Sequence, residues 1–410
     1  MCEVIVVGGG AGGMMAAIFA ARGGSRVTLL ERNEKLGKKV YITGKGRCNV
    51  TNDCTQDEFL QQVPRNPRFL FSALHAFTPQ DMMALLEESG CPVTVERGRR
   101  VFPASQKASD VTRALARLMR ESGVTVRLNA RVRAIDARDG RVRGVTLESG
   151  ETLPADAVIL ATGGRSYPMT GSTGDGYAMA AAVGHTIVPQ RGVLSAIETD
   201  AEWPRSLAGL SLRNVTLTLR QGKRVLWQEL GEMLFTHTGI SGPLTLTMSC
   251  HLPDDLSEAR AELDLKPGLT AEQLDARLQR ELEAAPRRRL DNVLPALLPG
   301  RLAALLPALC GVDGGKLCCQ ATRTERSALG AAMKALPLPL TRLAPLEEAV
   351  VTRGGVSVRE VKPGTMESKL LPGLFFAGEV LDVDAHTGGY NLQIAWSTGA
   401  AAGRGAAQFT

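Results

Sequence analysis

The chain has 410 residues, and at about 150 residues per domain this length predicts two to three domains. Hydrophobic residues make up 44%, which excludes disorder as the main state, and an aromatic content of 4% argues against a single-strand nucleic-acid binder that works by base stacking. The net charge of +6, from 48 basic and 42 acidic residues, is compatible with an anionic cofactor or RNA but demands neither.

The N-terminal region alternates strands and helices. Residues 4–7 are a β-branched run typical of a buried parallel strand, a glycine-rich turn follows, and residues 14–21 predict a small-residue helix. Residues 26–30 predict the next strand, which completes a β–turn–α–β unit. The patterns beyond it predict helices within 57–90 and 108–122, an antiparallel unit of strands 124–128, 132–137 and 142–147, and a buried strand at 157–160.

The character of the sequence changes near Pro189. Residues 193–200, 212–220, 223–230 and 260–266 predict strands, and residues 270–335, rich in Ala, Leu, Arg and Glu, predict a helical insert. From Ala349 the chain returns to strands and ends in a helix from about Leu392. We predict three parts: residues 1–188 with 355–410, residues 189–268 with 336–354, and the helical insert 269–335.

The cysteines and the N-terminus indicate the compartment. Eight cysteines are scattered without CxxC or zinc-ligand spacing, so we expect free thiols in a reducing cytosol and no metal site. The first residues run straight into a strand instead of forming a leader peptide, and prolines interrupt the most apolar later stretch, residues 293–312. The sequence predicts a cytoplasmic protein with no membrane span.

The first chemical motif is Gly8-x-Gly10-x-x-Gly13, between the first strand and the first helix. In such a loop the glycines permit a tight turn, let the backbone approach a pyrophosphate and let the helix pack on the strand, while helix amides face the phosphates. Glu31 ends the second strand, where a carboxylate accepts hydrogen bonds from ribose hydroxyls. The combination predicts dinucleotide binding; the alternative is a glycine-rich packing turn.

Two later segments favour FAD over NAD. Residues 156–164 form a strand that ends in Ala161-Thr162-Gly163-Gly164, and residues 373–393 contain Gly378-Glu379 and then the start of a helix at Gly389-Tyr390-Asn391-Leu392. A strand, a glycine with an acid, and a helix N-terminus suit the ribityl chain and ring of a flavin, because the helix dipole stabilises a negatively charged reduced ring. No second GxGxxG follows a strand, so reduced NAD(P)H, if used, is expected to dock only transiently.

The chain resembles the FAD flavoproteins of the two-dinucleotide-binding type, and more narrowly the BaiN/RdsA family of NAD(P)/FAD-dependent oxidoreductases. The resemblance rests on the Gly8–Gly13 loop, residues 37–52 with Gly-Arg-Cys-Asn-x-Thr-Asn, residues 235–243 with Thr-His-x-Gly-x-Ser-Gly-Pro, residues 352–356 and 365–369, and the run 377–393. It implies an α/β fold: a Rossmann-like FAD-binding domain built from both chain ends, a β-barrel-like middle domain and a small helical insert. The implied cofactor is tightly but non-covalently bound FAD.

The resemblance also implies flavin-mediated reduction of a conjugated C=C bond. Residues 42–46, 353–355 and 382–384 place the chain nearer the bile-acid type, which reduces steroid-like enones by hydride transfer from flavin N5. Two alternatives remain open: a reductase that makes dihydrouridine in ribosomal RNA, and an oxidase of a small amine such as aminoacetone. A protein that binds FAD without turnover is the non-enzymatic alternative. We expect a small-molecule substrate and a monomer or homodimer.

We expect the cofactor to be held by residues from several segments. They are Gly8, Gly10, Ala11, Gly12, Gly13, Glu31 and Arg32; Lys38, Lys39, Thr43, Gly44, Lys45, Arg47, Cys48 and Asn49; Val132; Ala161, Thr162, Gly163 and Gly164; and Gly378, Glu379, Gly389, Tyr390, Asn391 and Leu392. Within this set, Lys45 and Arg47 are expected to neutralise pyrophosphate or stabilise anionic reduced flavin. Cys48 is expected to pack rather than to act in disulfide chemistry.

Three residues are candidates for the polar step of catalysis. His237 follows a strand in a Thr-His-Thr-Gly turn and is able to donate a proton or a hydrogen bond to a substrate carbonyl. A structural histidine that holds the loop is an equally good interpretation. Arg353, which precedes two glycines, and Tyr390 are rival donors.

Arginine clusters at 97–100, 131–143 and 287–289 resemble the phosphate contacts of an RNA-binding protein. Asp136 and Asp139 interrupt the second cluster, which favours an ordinary solvated surface over an RNA track. RNA is therefore a disfavoured partner.

Overall fold

The computed structural model describes residues 1–409. Its strands are β1 (Glu3–Val7), β2 (Arg26–Leu30), β3 (Thr51–Asn52), β4 (Val93–Glu96), β5 (Arg100–Pro103), β6 (Thr125–Arg127), β7 (Val132–Arg138), β8 (Arg141–Leu147), β9 (Thr152–Pro154), β10 (Ala157–Leu160), β11 (Ile187–Val193), β12 (Ile197–Glu198), β13 (Ser211–Gln221), β14 (Arg224–Phe235), β15 (Gly239–Ser241), β16 (Ala259–Asp264), β17 (Leu336–Leu338), β18 (Arg342–Leu343), β19 (Val351–Val356) and β20 (Leu374–Phe376). Its α-helices are α1 (Ala11–Arg22), α2 (Lys38–Ile42), α3 (Gln56–Gln61), α4 (Phe71–Ala76), α5 (Pro79–Glu88), α6 (Ala108–Glu121), α7 (Asp175–Ala182), α8 (Glu202–Ser206), α9 (Pro243–Ser249), α10 (Ala271–Ala284), α11 (Leu290–Val293), α12 (Gly300–Leu309), α13 (Arg323–Lys334) and α14 (Tyr390–Ala407).

A five-stranded parallel sheet forms the centre of the first unit, which contains Met1–Val193 and the chain from Pro345 onward. Its order is β20-β10-β1-β2-β6, and every neighbouring pair is parallel. The β-branched and leucine side chains of β1 and β10 are buried, as a sheet covered on both faces requires. The Rossmann-like α/β prediction is confirmed, and strand β20 shows that both chain ends build this sheet.

The C-terminal helix α14 packs directly on α1. A Cβ atom on Gly399 would lie 2.4 Å from the carbonyl oxygen of Gly12, so only glycine permits this close approach. The indole of Trp396 is fully buried and donates a hydrogen bond of 2.9 Å to the carbonyl oxygen of Val50. These contacts place the middle of α14 against the first turn of α1, while its N-cap Gly389 lies against Thr51 of β3.

The predicted antiparallel unit is wrong in one strand. Residues 125–127 form β6, which joins the parallel sheet beside β2, and the third antiparallel strand after β7 and β8 is β9 at Thr152–Pro154. The alternating pattern of a strand does not state which partner it pairs with, because parallel pairing depends on distant residues.

The second unit spans Leu194–Ala344. Seven strands form a sheet of order β17-β16-β13-β14-β15-β12-β18, with antiparallel neighbours throughout. Within residues 1–409 the edge strands β17 and β18 are not paired with each other, so the barrel-like form is not confirmed. Helices α10 to α13 bury Leu278, Leu302 and Leu329 in the same apolar core as Leu217 and Leu263 of the sheet.

The structure divides the chain into two units, whereas the sequence predicted three parts. Residues 269–335 belong to the same unit as the sheet, and the unit boundaries fall at 193/194 and 344/345 instead of 188/189 and 354/355. Strand β11 and strand β19 account for the difference, because they pair with each other inside the first unit. None of the helices within residues 1–409 is both long and apolar enough to cross a membrane.

Candidate active site

The glycine-rich loop after β1 packs as tightly as its motif predicts. Gly8 has a φ of +105°, and a Cβ atom there would lie 2.5 Å from the carbonyl oxygen of Ala161. A Cβ atom on Gly13 would lie 1.8 Å from the carbonyl oxygen of Gly8, whereas Gly10 has no atom within 4 Å of the corresponding position. The first and third glycines therefore allow backbone packing, and the middle glycine faces open space.

Glu31 is buried at the end of β2, beside this loop. Its Oε2 accepts a hydrogen bond of 2.6 Å from the amide of Gly9, and its Oε1 accepts bonds of 2.8 and 2.7 Å from the backbone and side chain of Asn33. Oε2 accepts only one of these bonds and keeps a second lone pair, so the carboxylate is able to accept a further donor. Binding of a ribose by Glu31 stays a prediction.

The two later glycine segments meet the first loop. A Cβ atom on Gly12 would lie 3.3 Å from the carbonyl carbon of Ala377, and the amide of Gly378 donates a hydrogen bond of 2.9 Å to Thr398 Oγ1 in α14. Thr162, in the turn after β10, has a buried hydroxyl oxygen with no protein partner. A buried polar atom without a partner is costly and points to a ligand or water at this position.

Helix α14 begins at this edge with an open N-terminus. Its N-cap residue is Gly389, at a φ of +100°, and the first turn has neither a side-chain cap nor an acidic residue. Helix α1, whose N-cap is Gly10, also has no side-chain cap and no acidic residue in its first turn. Exposed amides and the helix dipole favour an anion at both ends. The open space at Gly10, the lone Thr162 hydroxyl and two uncapped N-termini fit an anionic dinucleotide such as FAD.

Glu379 is held by protein donors. Its carboxylate accepts hydrogen bonds from Lys39 Nζ at 2.7 and 3.0 Å, from Ser166 Oγ at 3.2 Å and from the amide of Thr352 at 2.8 Å. Thr352 Oγ1 in turn accepts bonds from the amides of Arg165 and Ser166. Lys39 and Glu379, both predicted to bind the cofactor, thus join β19, α2 and the turn after β10.

A second polar cluster lies in the segment between Glu379 and α14. Arg353 forms a two-pronged ion pair with Asp384, with Nε–Oδ1 at 2.7 Å and Nη2–Oδ2 at 2.5 Å. Arg65 forms a similar pair with Asp382 at 2.6 and 3.0 Å. The sequence motifs identified Arg353 but not its partner, Asp384. The two residues are 31 positions apart, and no motif relates residues at that separation.

His386 and Asn391 complete this cluster. The Nδ1 atom of His386 lies 3.1 Å from Gln62 Oε1, and the backbone amide of His386 donates to the Gln62 carbonyl oxygen at 2.9 Å. Burial, followed by the nearby Arg353 charge, lowers the pKa of His386 to about 4. The side chain of Asn391 binds both the amide and the carbonyl oxygen of Ala385, at 2.9 and 2.8 Å. Asn391 therefore orders the protein loop before α14.

The loop of residues 43–49 holds several predicted cofactor ligands. Lys45 is exposed, whereas Arg47 is engaged by Glu96 at 2.9 Å, by Gln106 at 2.7 Å and by the ring of Phe102 at 4.0 Å. Arg47 thus already has a protein counter-ion. Burial raises the pKa of the Cys48 thiol to about 12, which keeps it protonated and unreactive.

The remaining predicted residues surround these loops. Arg32 donates to Thr173 at 2.6 Å and to Asp175 at 3.0 Å, and Lys38 pairs with Glu34 at 2.8 Å. Val132 is buried at the start of β7. None of these contacts tests whether the residues also touch a cofactor.

Of the candidate catalytic residues, Arg353 and Tyr390 lie in the first unit and His237 lies in the second. Tyr390 packs edge-on against Phe59, and burial raises the pKa of its hydroxyl to about 12. His237 is exposed in the turn between β14 and β15, where its carbonyl oxygen accepts a bond of 3.1 Å from Arg205. Its role as a proton donor stays a prediction.

Comparison with known proteins agrees with this architecture. Residues 2–405 match the family described as HI0933-like protein Rossmann domain. The chain is 32% identical over 409 residues to a 3-dehydro-bile acid delta(4,6)-reductase of Clostridium scindens, with 98% of each chain covered. It is also 32% identical over 402 residues to a ribosomal RNA dihydrouridine synthase of Escherichia coli, with 97% of this chain and 96% of the relative covered.

Solved structures share the fold at low sequence identity. An Escherichia coli quinol fumarate reductase chain has a TM-score of 0.53 at 18% identity, with 99% of this chain and 70% of that chain covered. A 3-ketosteroid delta1-dehydrogenase of Sterolibacterium denitrificans has a TM-score of 0.51 at 15% identity, with 99% and 100% covered. The family resemblance predicted from the motifs is confirmed: the chain belongs to the HI0933-like family and is an FAD-dependent oxidoreductase.

Proposed function

We propose that this oxidoreductase reduces a C=C bond conjugated to a carbonyl group in a small, steroid-like substrate. The observation that carries the proposal is the similarity to a bile acid reductase along 98% of both chains. The site supports it chemically, because a buried guanidinium, that of Arg353, lies on the strand next to the Glu379 segment. A fixed positive charge is what the carbonyl oxygen of an enone needs as it becomes an enolate.

The residues of the chain have distinct tasks in this reaction. The uncapped N-terminus of α1 would hold the phosphates of FAD, and that of α14 would stabilise negative charge on its reduced ring. When bound, FAD supplies the hydride from N5 of its reduced ring. Arg353 stabilises negative charge on the substrate oxygen, and Tyr390 or His237 supplies the proton that completes the reduction.

The proposal also covers the electron donor, the compartment and the oligomeric state. We propose NAD(P)H as a transient electron donor that docks at the flavin without a dedicated domain. We also propose that the enzyme works in the cytoplasm as a monomer or homodimer on a small molecule, without a membrane partner. Steady-state assays with NADH and NADPH, and light scattering of the purified protein, test these two statements.

Reduction of uridine in ribosomal RNA is the second candidate, because two relatives with 31% and 32% identity are named ribosomal RNA dihydrouridine synthases. Protein carboxylates neutralise at least one arginine of each cluster, which weakens the case for an RNA track. Arg131 pairs with Glu148 and Asp175, and Arg99 and Arg289 each have a carboxylate partner within 2.7 Å. Arginines that are neutralised in this way contribute less to phosphate binding.

An anaerobic experiment separates these functions. The protein is reduced and mixed either with a 3-oxo-Δ4 steroid or with unmodified ribosomal RNA, and the return of oxidised-flavin absorbance is followed. Rapid return with the steroid supports the proposal. Return with RNA alone would overturn it in favour of the RNA reductase, and return only with oxygen, with release of peroxide, would favour an amine oxidase.

A further inference from the structure

The ion pair between Arg353 and Asp384 is unusual because both partners are buried. The side chain of Arg353 is 9% exposed and that of Asp384 is 0% exposed. The comparable pair between Arg65 and Asp382, in the same segment, has its arginine 39% exposed. Asp384 is therefore committed to one partner, and it orients that partner through two hydrogen bonds.

The backbone on both sides of this pair is fixed. The amide of Thr352, next to Arg353, donates to Glu379, and the amide of Asp382 donates to the carbonyl oxygen of Val356 at 2.9 Å. These bonds lock β19 to the segment that carries Asp384. Hydrogen bonds thus fix Arg353 both through the backbone of β19 and through the Nε and Nη2 atoms of its guanidinium.

Stability alone is a poor explanation for this arrangement. Burying two charges costs several kcal/mol per ion, and a buried pair is often no more stabilising than apolar side chains of similar volume. A guanidinium held by its Nε and one Nη in a planar, two-pronged bond is preorganised for a specific electrostatic task. Along the chain, Asp384 lies between Glu379 and the open N-terminus of α14, the segment to which the proposed reaction is assigned.

We propose that Asp384 is a positioning residue that fixes the guanidinium of Arg353 toward the carbonyl oxygen of the substrate; this rests on the proposed function. When a hydride reaches the β-carbon of the enone, the π electrons move to the carbonyl oxygen, which becomes an enolate. Arg353 stabilises that charge until a proton reaches the α-carbon. Asp384 touches neither the substrate nor the cofactor and acts only through Arg353.

The first test compares Asp384→Asn with the matched control Asp275→Asn. Asp275 forms a similar two-pronged pair with Arg326, at 2.8 and 3.0 Å, in the second unit. We expect Asp384→Asn to retain its FAD and its rate of flavin reduction, while flavin reoxidation at saturating enone falls about 100-fold, as for loss of a fixed oxyanion partner. The apparent Kd for the enone should change little. Asp275→Asn should stay within about threefold of the parent rate constant, since its arginine lies outside this task.

The second test is chemical rescue, and its first measurement, on Arg353→Ala, does not depend on the stability of Asp384→Asn. The variant Arg353→Ala leaves a cavity beside an intact Asp384, so millimolar guanidinium should restore part of the reoxidation rate. The same addition should not rescue Arg353→Ala combined with Asp384→Asn. Equal rescue of both proteins, or an unchanged reoxidation rate in Asp384→Asn, would overturn the positioning role.

The design keeps the failure of this assignment apart from failure of the proposed function. Reoxidation of the parent protein is measured with both the steroid and the ribosomal RNA, because uracil also presents a C=C bond conjugated to a carbonyl. If only RNA reoxidises the flavin, the steroid proposal fails, and the Asp384 comparison is made with RNA. If neither acceptor works, both inferences are overturned together.

Discussion

Gly10 is the N-cap of α1 and Gly13 lies in its first turn, yet the structure predicts different effects of an added methyl group on stability. In Gly13→Ala the new Cβ atom would lie 1.8 Å from the Gly8 carbonyl oxygen and 3.0 Å from its carbon. Both atoms are backbone, so β1 or α1 has to move. In Gly10→Ala the methyl group meets no atom within 4 Å, and the φ of −79° suits alanine.

The expected costs follow from these distances. Overpacking in a tight site costs about 1–3 kcal/mol, and a backbone overlap belongs at the upper end. A loss of about 3 kcal/mol lowers the Tm of a unit of this size by roughly 6–10 °C. For Gly10→Ala the loss of a glycine N-cap and the reduced entropy of the unfolded chain are each under about 1 kcal/mol and opposite in sign. The Tm should therefore change by less than about 3 °C.

The assay separates stability from cofactor binding. The Tm is measured on flavin-free protein, and FAD affinity is measured by quenching of flavin fluorescence. Gly13→Ala should lower both, whereas Gly10→Ala should retain its Tm and lose at least about tenfold in FAD affinity, because its methyl group occupies the approach of the pyrophosphate. Unchanged FAD affinity in Gly10→Ala would refute the placement of the phosphates, and a stable flavin-free Gly13→Ala would refute the packing argument.

Three further predictions concern individual side chains. Lys39→Met strands the half-buried carboxylate of Glu379 and should cost about 1–3 kcal/mol in urea unfolding. Lys38→Met should cost less than about 0.5 kcal/mol, because the partner of Lys38, Glu34, is exposed to solvent; equal costs would contradict the network. His386 is held neutral in the folded state, with a pKa of about 4, so its contribution is complete above pH 6.5 and is lost as the pH falls toward 4. His386→Asn should therefore flatten the fall in unfolding free energy between pH 6.5 and 4.5, and an unchanged slope would exclude this cause. Alkylation of the native protein at pH 8, read by mass spectrometry, should label the exposed Cys319 and spare the buried Cys48; fast labelling of Cys48 would contradict its burial.

The local motifs predicted the cofactor loops because their geometry is set within a few residues. A β-branched run followed by Gly8, Gly10 and Gly13 has few folded alternatives. The position of Glu31 was predicted because it is the residue directly after the next strand. The strand at 125–127 was misassigned because its alternation allows either direction of pairing. The sequence pattern identified the strand, whereas only the tertiary structure defines its partner.

The polar cluster before α14 was likewise not predictable from sequence alone, because its members are far apart in the chain. Gln62 and His386 are 324 residues apart in sequence, and Arg65 and Asp382 are 317 apart. No local spacing relates such pairs, because these residues lie in loops that only the tertiary fold brings together. The motifs therefore identified Arg353 as a candidate but not the carboxylate that orients it.

The distribution of buried charge gives a physical reason to place the chemistry at this edge of the sheet. Among residues 1–409 the buried Asp, Glu, Lys and Arg side chains are Glu31, Arg353, Asp382 and Asp384. Glu31 adjoins the first glycine loop, and the other three lie on β19 or just before α14. Since each buried charge costs folding free energy, a fold that needed only stability would have no reason to gather them in one region. Asp382 and Asp384 are each paired with an arginine, so the two open helix N-termini, rather than these carboxylates, favour an anionic cofactor at this edge.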